Sequence, residues 1–256
     1  MAGRYVRSAR RVIAPGRSRR ADTQLGMVLA FVAGAANAGG FLAVGQYTSH
    51  MSGIFSALAD NLALGAFGLV VAGLSGLLAF VAGAACSAIL INWGRRGNRR
   101  DLYARPLLLE ALLLLGFGLL GGLAQGTPGF TPLAVLMLCF IMGLQNATVT
   151  KISGARIRTT HVTGMVTDAG IELGKLVYWN RDTVRSQTLR VRADRPKLCL
   201  LGLLLGSFFT GGVFGAFGFE RWGFATCLPL GLLLLLLAVP SLAHDWLNRR
   251  RALNKL

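Results

Sequence analysis

The chain is dominated by apolar runs of about 20 residues, the length that an α-helix rising about 1.5 Å per residue needs to cross a hydrocarbon core near 30 Å. They fall at residues 25–44, 67–93, 106–125, 132–152, 198–219 and 222–243, and their length and low charge predict six transmembrane helices. Backbone polar groups surrounded by lipid must find partners within their own segment, so such runs fold as helices. The expected fold class is an all-α polytopic membrane protein. Composition agrees, because only 14% of the residues are charged, where soluble domains carry about a quarter. The four cysteines, Cys86, Cys139, Cys199 and Cys227, lie inside the runs without a C-x-x-C spacing. They predict neither a disulfide nor a metal site, and no cofactor is expected.

The formal net charge of +17 would suggest nucleic-acid binding in a soluble chain, but its distribution fits a membrane protein better. Seven arginines precede the first run, five occupy residues 95–105, ten Lys or Arg lie in 151–197 and four follow the last run, leaving Arg221 alone. Six spans with the N-terminus in the cytoplasm put 26 basic residues inside and one outside; turning 49–65 and 160–177 into two further spans gives 18 and 9. The positive-inside rule favours six spans, with both termini cytoplasmic and the basic surface at anionic lipid headgroups rather than on nucleic acid. The first run is read as a span, since it is long for a cleaved leader and five more follow. Segments 49–65 and 160–177 then become re-entrant or broken extensions of their neighbours, which is tolerated only where protein or a watery cavity covers the backbone. Trp93, Trp222 and Trp246 at the ends of runs read as interfacial anchors.

An internal repeat accounts for the two broken segments. Phe31, Gly34, Asn37 and Ala38 match Phe140, Gly143, Asn146 and Ala147 at an offset of 109, and Gly45 matches Gly154. The offset becomes 111 where Thr48-Ser49-His50-Met51-Ser52-Gly53 lies on Thr159-Thr160-His161-Val162-Thr163-Gly164. Two three-span units follow, at 23–125 and 131–246, flanked by basic cytoplasmic tails at 1–22 and 247–256. Three spans per unit reverse the second unit in the membrane, the inverted-topology arrangement of many secondary transporters. The two broken segments then converge near the midplane.

The residues there define the candidate site. Asn37, Thr48, His50, Ser52, Gly53, Asn146, Thr159, His161, Thr163 and Gly164 are expected to bind substrate, the helix N-termini after the histidines favouring an anion or a carboxylate. Ser52 and Thr163 are each expected to cap the helix they begin. The paired histidines suit gating or proton coupling. Among the carboxylates near membrane depth, Asp60, Glu110, Asp168 and Glu172, the coupling or gating candidates are Asp60 and Asp168, with Arg156 and Arg158 as basic partners. The glycine pairs 118/122, 202/206 and 211/215 have the spacing of close helix packing. No P-loop, nucleophile elbow, H-E-x-x-H or dinucleotide fingerprint is present, so an enzyme is not expected.

At Gly34-Ala-Ala-Asn37-Ala38, Tyr47-Thr48-Ser49-His50-Met51-Ser52-Gly53, Gly143-Leu-Gln-Asn146-Ala147 and Arg158-Thr159-Thr160-His161-Val162-Thr163-Gly164, the chain resembles the YoaK-like family of bacterial membrane proteins. That family often has Met-Thr-Gly-Asn where this chain has Met51-Ser52-Gly53-Ile54, and an aspartate near the position of Asn37. The resemblance implies the bacterial cytoplasmic membrane and supplies no substrate. The expected function is transport or facilitated passage of a small polar, anion-class solute through a midplane site. The alternative is a non-transporting scaffold that docks a protein, a second copy of itself or anionic lipid through basic residues including Arg181, Arg185, Arg190 and Arg192.

Overall fold

The structure, a computed structural model, describes residues 19–96, 102–153, 157–179 and 190–253. Those residues are helical throughout apart from short connections, with no strand among them. In chain order the helices are α1 (Arg19–Val44), α2 (Met51–Ala63), α3 (Phe67–Arg96), α4 (Ala104–Ala124), α5 (Phe130–Ser153), α6 (Val162–Val177), α7 (Arg195–Trp222) and α8 (Cys227–Leu253), with a 3-10 turn at Gly223–Thr226 before α8. Most of the tail at 1–22, Arg99 and Arg100, Gly154 and Arg156, and Arg181 and Arg185 lie outside the described residues.

Among the described residues five stretches are long and apolar enough to cross a membrane, and the last of them, Arg195–Ala243, has 49 residues and contains the 3-10 turn between α7 and α8. Their faces carry many exposed large side chains, including Leu123 at 77% and Phe209 at 70%, a density of apolar surface suited to lipid. This is the build of a polytopic membrane protein. By contrast α2 and α6 have 13 and 16 residues, or about 20 and 24 Å of helix, too short to cross. Gly45 and Gly65 reverse the chain on either side of α2 with φ of +73° and +69°, values that cost glycine little.

The most extensive helix contacts are α1 with α7 and α3 with α5, followed by α4 with α8. A Cβ on Gly34 would collide with the carbonyl of Phe208, and one on Gly211 with the carbonyl of Phe31. The same reciprocal arrangement joins Gly83 to Phe140 and Gly143 to Phe80. Four Phe-x-x-Gly sequences therefore make two crossings in which each glycine admits the backbone of its neighbour, the close approach that small residues permit in membranes. Ser87 and Thr148, both fully buried, extend the α3–α5 contact with hydroxyls 2.8 Å apart. The contacting positions advance together within each pair, making α1 parallel to α7 and α3 parallel to α5. The approaches of Gly118 to Cys227 and of Gly231 to Leu115 run in opposite senses, so α4 and α8 are antiparallel.

Of the expected glycine pairs, 211/215 packs tightly, against Phe31 and Ala35, whereas Gly122, Gly202 and Gly206 meet nothing within 4 Å. Near the 3-10 turn, Phe224 sits among Phe117, Phe130 and Phe219 with centroids 5.4, 5.5 and 5.8 Å away. These edge-on contacts fix the corner between α7 and α8.

Replacing Gly34 or Gly143 by leucine should lower the thermal midpoint in lipid nanodiscs clearly, since overpacking costs about 1–3 kcal/mol even where side chains can yield. Gly122→Leu should stay within about 0.5 kcal/mol. Equal midpoints for the three variants would contradict the backbone crossings.

Candidate functional site

The two short helices begin alike. His50 precedes α2 at φ −94°, ψ 69°, and His161 precedes α6 at φ −82°, ψ 56°; neither helix has a side-chain cap. The first bonds of each helix run from the Ile54 N–H to the His50 carbonyl and from the Met165 N–H to the His161 carbonyl, at 3.1 and 3.0 Å. The N–H groups of the first three residues of each helix are thus left without an intrahelical acceptor. The expectation that Ser52 and Thr163 cap these helices is corrected here. Both lie second in the helix, two residues past the cap position, because a cap must precede the first helical residue to reach the N–H groups beyond it. The imidazole of His50 lies against Gly53, where a Cβ would collide with it, whereas Gly164 meets nothing within 4 Å.

Each histidine follows a loop tied to the preceding long helix by an asparagine. The Ser49 hydroxyl donates to Asn37 Oδ1 at 2.8 Å, and the Ser49 N–H reaches the same oxygen at 3.3 Å. At the aligned positions the Thr160 hydroxyl donates to Asn146 Oδ1 at 2.7 Å, and Asn146 Nδ2 is occupied by the Met142 carbonyl at 2.9 Å. Both asparagines hold loops; of the two, Asn37 also faces the central hollow. Thr48 and Thr159 are fully buried behind the loops. Thr159 donates to Gln145 Oε1 at 3.5 Å, and Gln145 Nε2 donates to Glu110 Oε1 at 2.6 Å.

The helix starts converge on a central hollow of about 600 Å³. Its wall pairs Ser49 with Thr160, His50 with His161, Met51 with Val162, Ser52 with Thr163 and Phe80 with Phe208, and among the described residues it contains neither a carboxylate nor a Lys or Arg. A second hollow of about 350 Å³, bounded by Phe41, Asn61 and Gly73, shares His50 and Tyr47 with the central one. A third, of about 740 Å³, contains Arg158, Asp168, Asp194 and Lys197 and shares His161 and Gly164 with the centre. The histidines therefore stand at the two necks of a string of three hollows.

Asp60 is exposed on α2 and lines none of the three. Asp168 lies in the third, where its ionic partner is Lys197 at 3.3 Å. Glu172, one turn further along α6, is 3% exposed; it accepts from Lys175 Nζ at 3.0 Å and from the Asp194 N–H at 2.8 Å, with Lys197 at 3.9 Å. The basic partners of the pair thus come from α6 itself and from the start of α7, and Arg158 shares the hollow. The signal for this was weak in sequence, because Lys197 lies far along the chain beyond a polar connection. Among the described residues no cluster of three or more His, Cys, Asp or Glu is placed to hold a metal ion.

The Asp194 N–H, followed by the Lys175 ammonium, holds the Glu172 carboxyl below its ordinary value against the opposing effect of burial. A depressed folded value means that Glu172 stabilises the α6–α7 corner above the ordinary carboxylate range and loses that contribution as pH falls through the folded value. Wild-type protein should accordingly unfold at a higher temperature than Glu172→Gln at neutral pH, with the gap closing on acidification below the carboxylate range. A gap independent of pH would contradict the assignment.

Residues 25–239 match the family described as protein of unknown function, DUF1275, with which the YoaK-like resemblance is compatible. No curated protein and no solved structure matches the chain. The match takes in nearly all of the helices that form the three hollows and about half of α8, and the chain belongs to the DUF1275 family.

Proposed function

We propose that this protein carries a small polar, anion-class solute across the bacterial cytoplasmic membrane, through a site between two inverted-topology units. In this reading α1, α3, α4, α5, α7 and α8 are the six spans, both termini are cytoplasmic, and α2 and α6 are re-entrant half-helices. The observation that carries the proposal is the central hollow, where two uncapped helix starts converge and, among the described residues, no acidic side chain enters the wall. Each helix N-terminus contributes roughly half a positive charge together with free N–H donors. Two of them around one hollow, with Ser49, Ser52, Thr160 and Thr163 hydroxyls in the wall, suit an anion or the carboxylate of a small zwitterion.

The helix contacts support alternation between the two sides. α1 packs on α7 and α3 on α5 through backbone crossings that leave little room for sliding. The half-helix α2 rests on α3, yet its leading loop is tied to α1 through Asn37; α6 rests on α7, and its leading loop is tied to α5 through Asn146. Each re-entrant segment thus straddles both helix pairs. Rocking one pair against the other moves both helix starts together and opens one histidine neck as it closes the other, a two-state change that solute binding biases. The third hollow, with Arg158 and Lys197, becomes the cytoplasmic vestibule, and its basic residues attract anions to the neck.

Thermal unfolding in nanodiscs against inorganic anions, small carboxylates, amino acids and nucleobases tests the reading. A solute that binds only the folded state stabilises it by about 2.7 kcal/mol at one hundred times its dissociation constant. Stabilisation by members of the anionic or carboxylate classes is expected, with loss in a His50→Ala/His161→Ala double variant. Stabilisation confined to nucleobases, or none in any class while the variant is merely less stable, would overturn it.

A further inference from the structure

Glu110 lies outside the three hollows. It is fully buried on α4, with Oε1 bonded to Gln145 Nε2 at 2.6 Å and Oε2 without any partner. α4 packs against α8, α5, the 3-10 turn and α3. The titratable or charged residues in the sequence of those elements are Cys86, Arg95 and Arg96 on α3, Cys139 and Lys151 on α5, and Cys227, His244, Asp245, Arg249, Arg250 and Arg251 on α8. Among the described side chains none forms a salt bridge with the Glu110 carboxyl, whose polar contact is the neutral Gln145 amide. An ionised carboxylate buried without a cation is strongly disfavoured. The unpartnered oxygen is the natural seat of a proton.

The chain from this carboxyl leads to the candidate site. Gln145 Oε1 accepts from Thr159, two residues before His161 and next to Thr160, which lines the central hollow. Helix packing does not require it: the position aligned with Gln145 is Ala36, and Thr48, aligned with Thr159, is fully buried with its hydroxyl unpartnered. In the first unit the buried threonine of the loop thus has no amide at the position of Gln145 to bond. The loop before His161 is therefore backed by a polar chain drawn from α4 and α5 that the loop geometry alone does not explain.

We propose that Glu110 is a proton-binding site whose charge state is transmitted through Gln145 and Thr159 to the loop of the His161 neck, giving this transporter a proton-coupled step on one side. The coupling rests on the transport reading above, but the proton site and its effect on the loop do not. Protonated Glu110 fits the packed arrangement. Loss of the proton to water leaves an anion that needs a second donor, and that selects a conformation in which the α4–α5 contact or the 157–161 loop admits water.

The chain contains three glutamates, Glu110, Glu172 and Glu220; Glu172 is held ionised by its partners and Glu220 is exposed. Infrared spectra of protein carrying 13C-labelled glutamate should show a protonated carboxyl at neutral pH that disappears on alkaline titration and is missing in Glu110→Gln. Absence of that band in the wild type would overturn the proton site even if the variant failed to fold. For transmission, a Val162→Cys probe in an otherwise cysteine-free protein should label at a rate whose ratio between wild-type and Glu110→Gln backgrounds changes several-fold through the pH range where the band titrates. Gln145→Leu should flatten that ratio. A ratio constant across the titration would overturn the coupling. Failure of every solute to bind, with band and ratio behaving as expected, would count against transport alone.

Discussion

The hydrogen bonds from Ser49 to Asn37 and from Thr160 to Asn146 are the interactions on which the remaining structure depends. Each pins a non-helical stretch back onto a long helix, and each is followed at once by a histidine and an uncapped helix start. Irregular backbone at membrane depth survives only when protein covers it or water reaches it. The amide–hydroxyl bonds provide the first condition on the inner side of each loop, and the central hollow provides the second on the other. Without them the two helix starts would have no fixed place to meet.

The glycine crossings make this arrangement stiff where it has to be. Interhelical hydrogen bonds in membranes average only about 0.6 kcal/mol, so close backbone packing is the larger source of specificity between spans. Phe31, Phe80, Phe140 and Phe208 each present a carbonyl to a glycine of the partner helix, binding α1 to α7 and α3 to α5 as pairs. Motion between the pairs is then cheaper than motion within one, and the two loops with their short helices are the segments that touch both pairs.

Hydropathy made most of the helices legible, because crossing a membrane imposes length and polarity together. The charge count separated the long spans from residues 49–65 and 160–177, which fold as the short helices α2 and α6. The residues that the repeat aligned make like contacts: Asn37 and Asn146 each accept from a loop hydroxyl, and His50 and His161 each precede a short helix. Less of the site itself could be read. Thr48 and Thr159 share the motif with the wall residues but face away from the hollow, a distinction set by loop geometry rather than by residue type. The caps were misplaced by two residues, since histidine gives no capping signal and the following hydroxyl gives a strong one. The Phe-x-x-Gly crossings were hidden because the spacing is common in apolar helices, and reciprocity between distant segments becomes visible only once the helices are paired. Glu110 stood out as a carboxylate in an apolar run, but its link to Thr159 depends on α4 lying beside α5.

The central claim is that one hollow between the two helix starts becomes open to each side of the membrane in turn. The most direct test places single cysteines at Ser52 and at Thr163 in an otherwise cysteine-free protein and reconstitutes each into vesicles of uniform orientation. A membrane-impermeant thiol reagent is then added from one side at a time. Alternating exposure predicts that both positions react from either side, at unequal rates, and that a bound solute protects both. Reaction of each position from one side only, unchanged by any solute that binds, would contradict it.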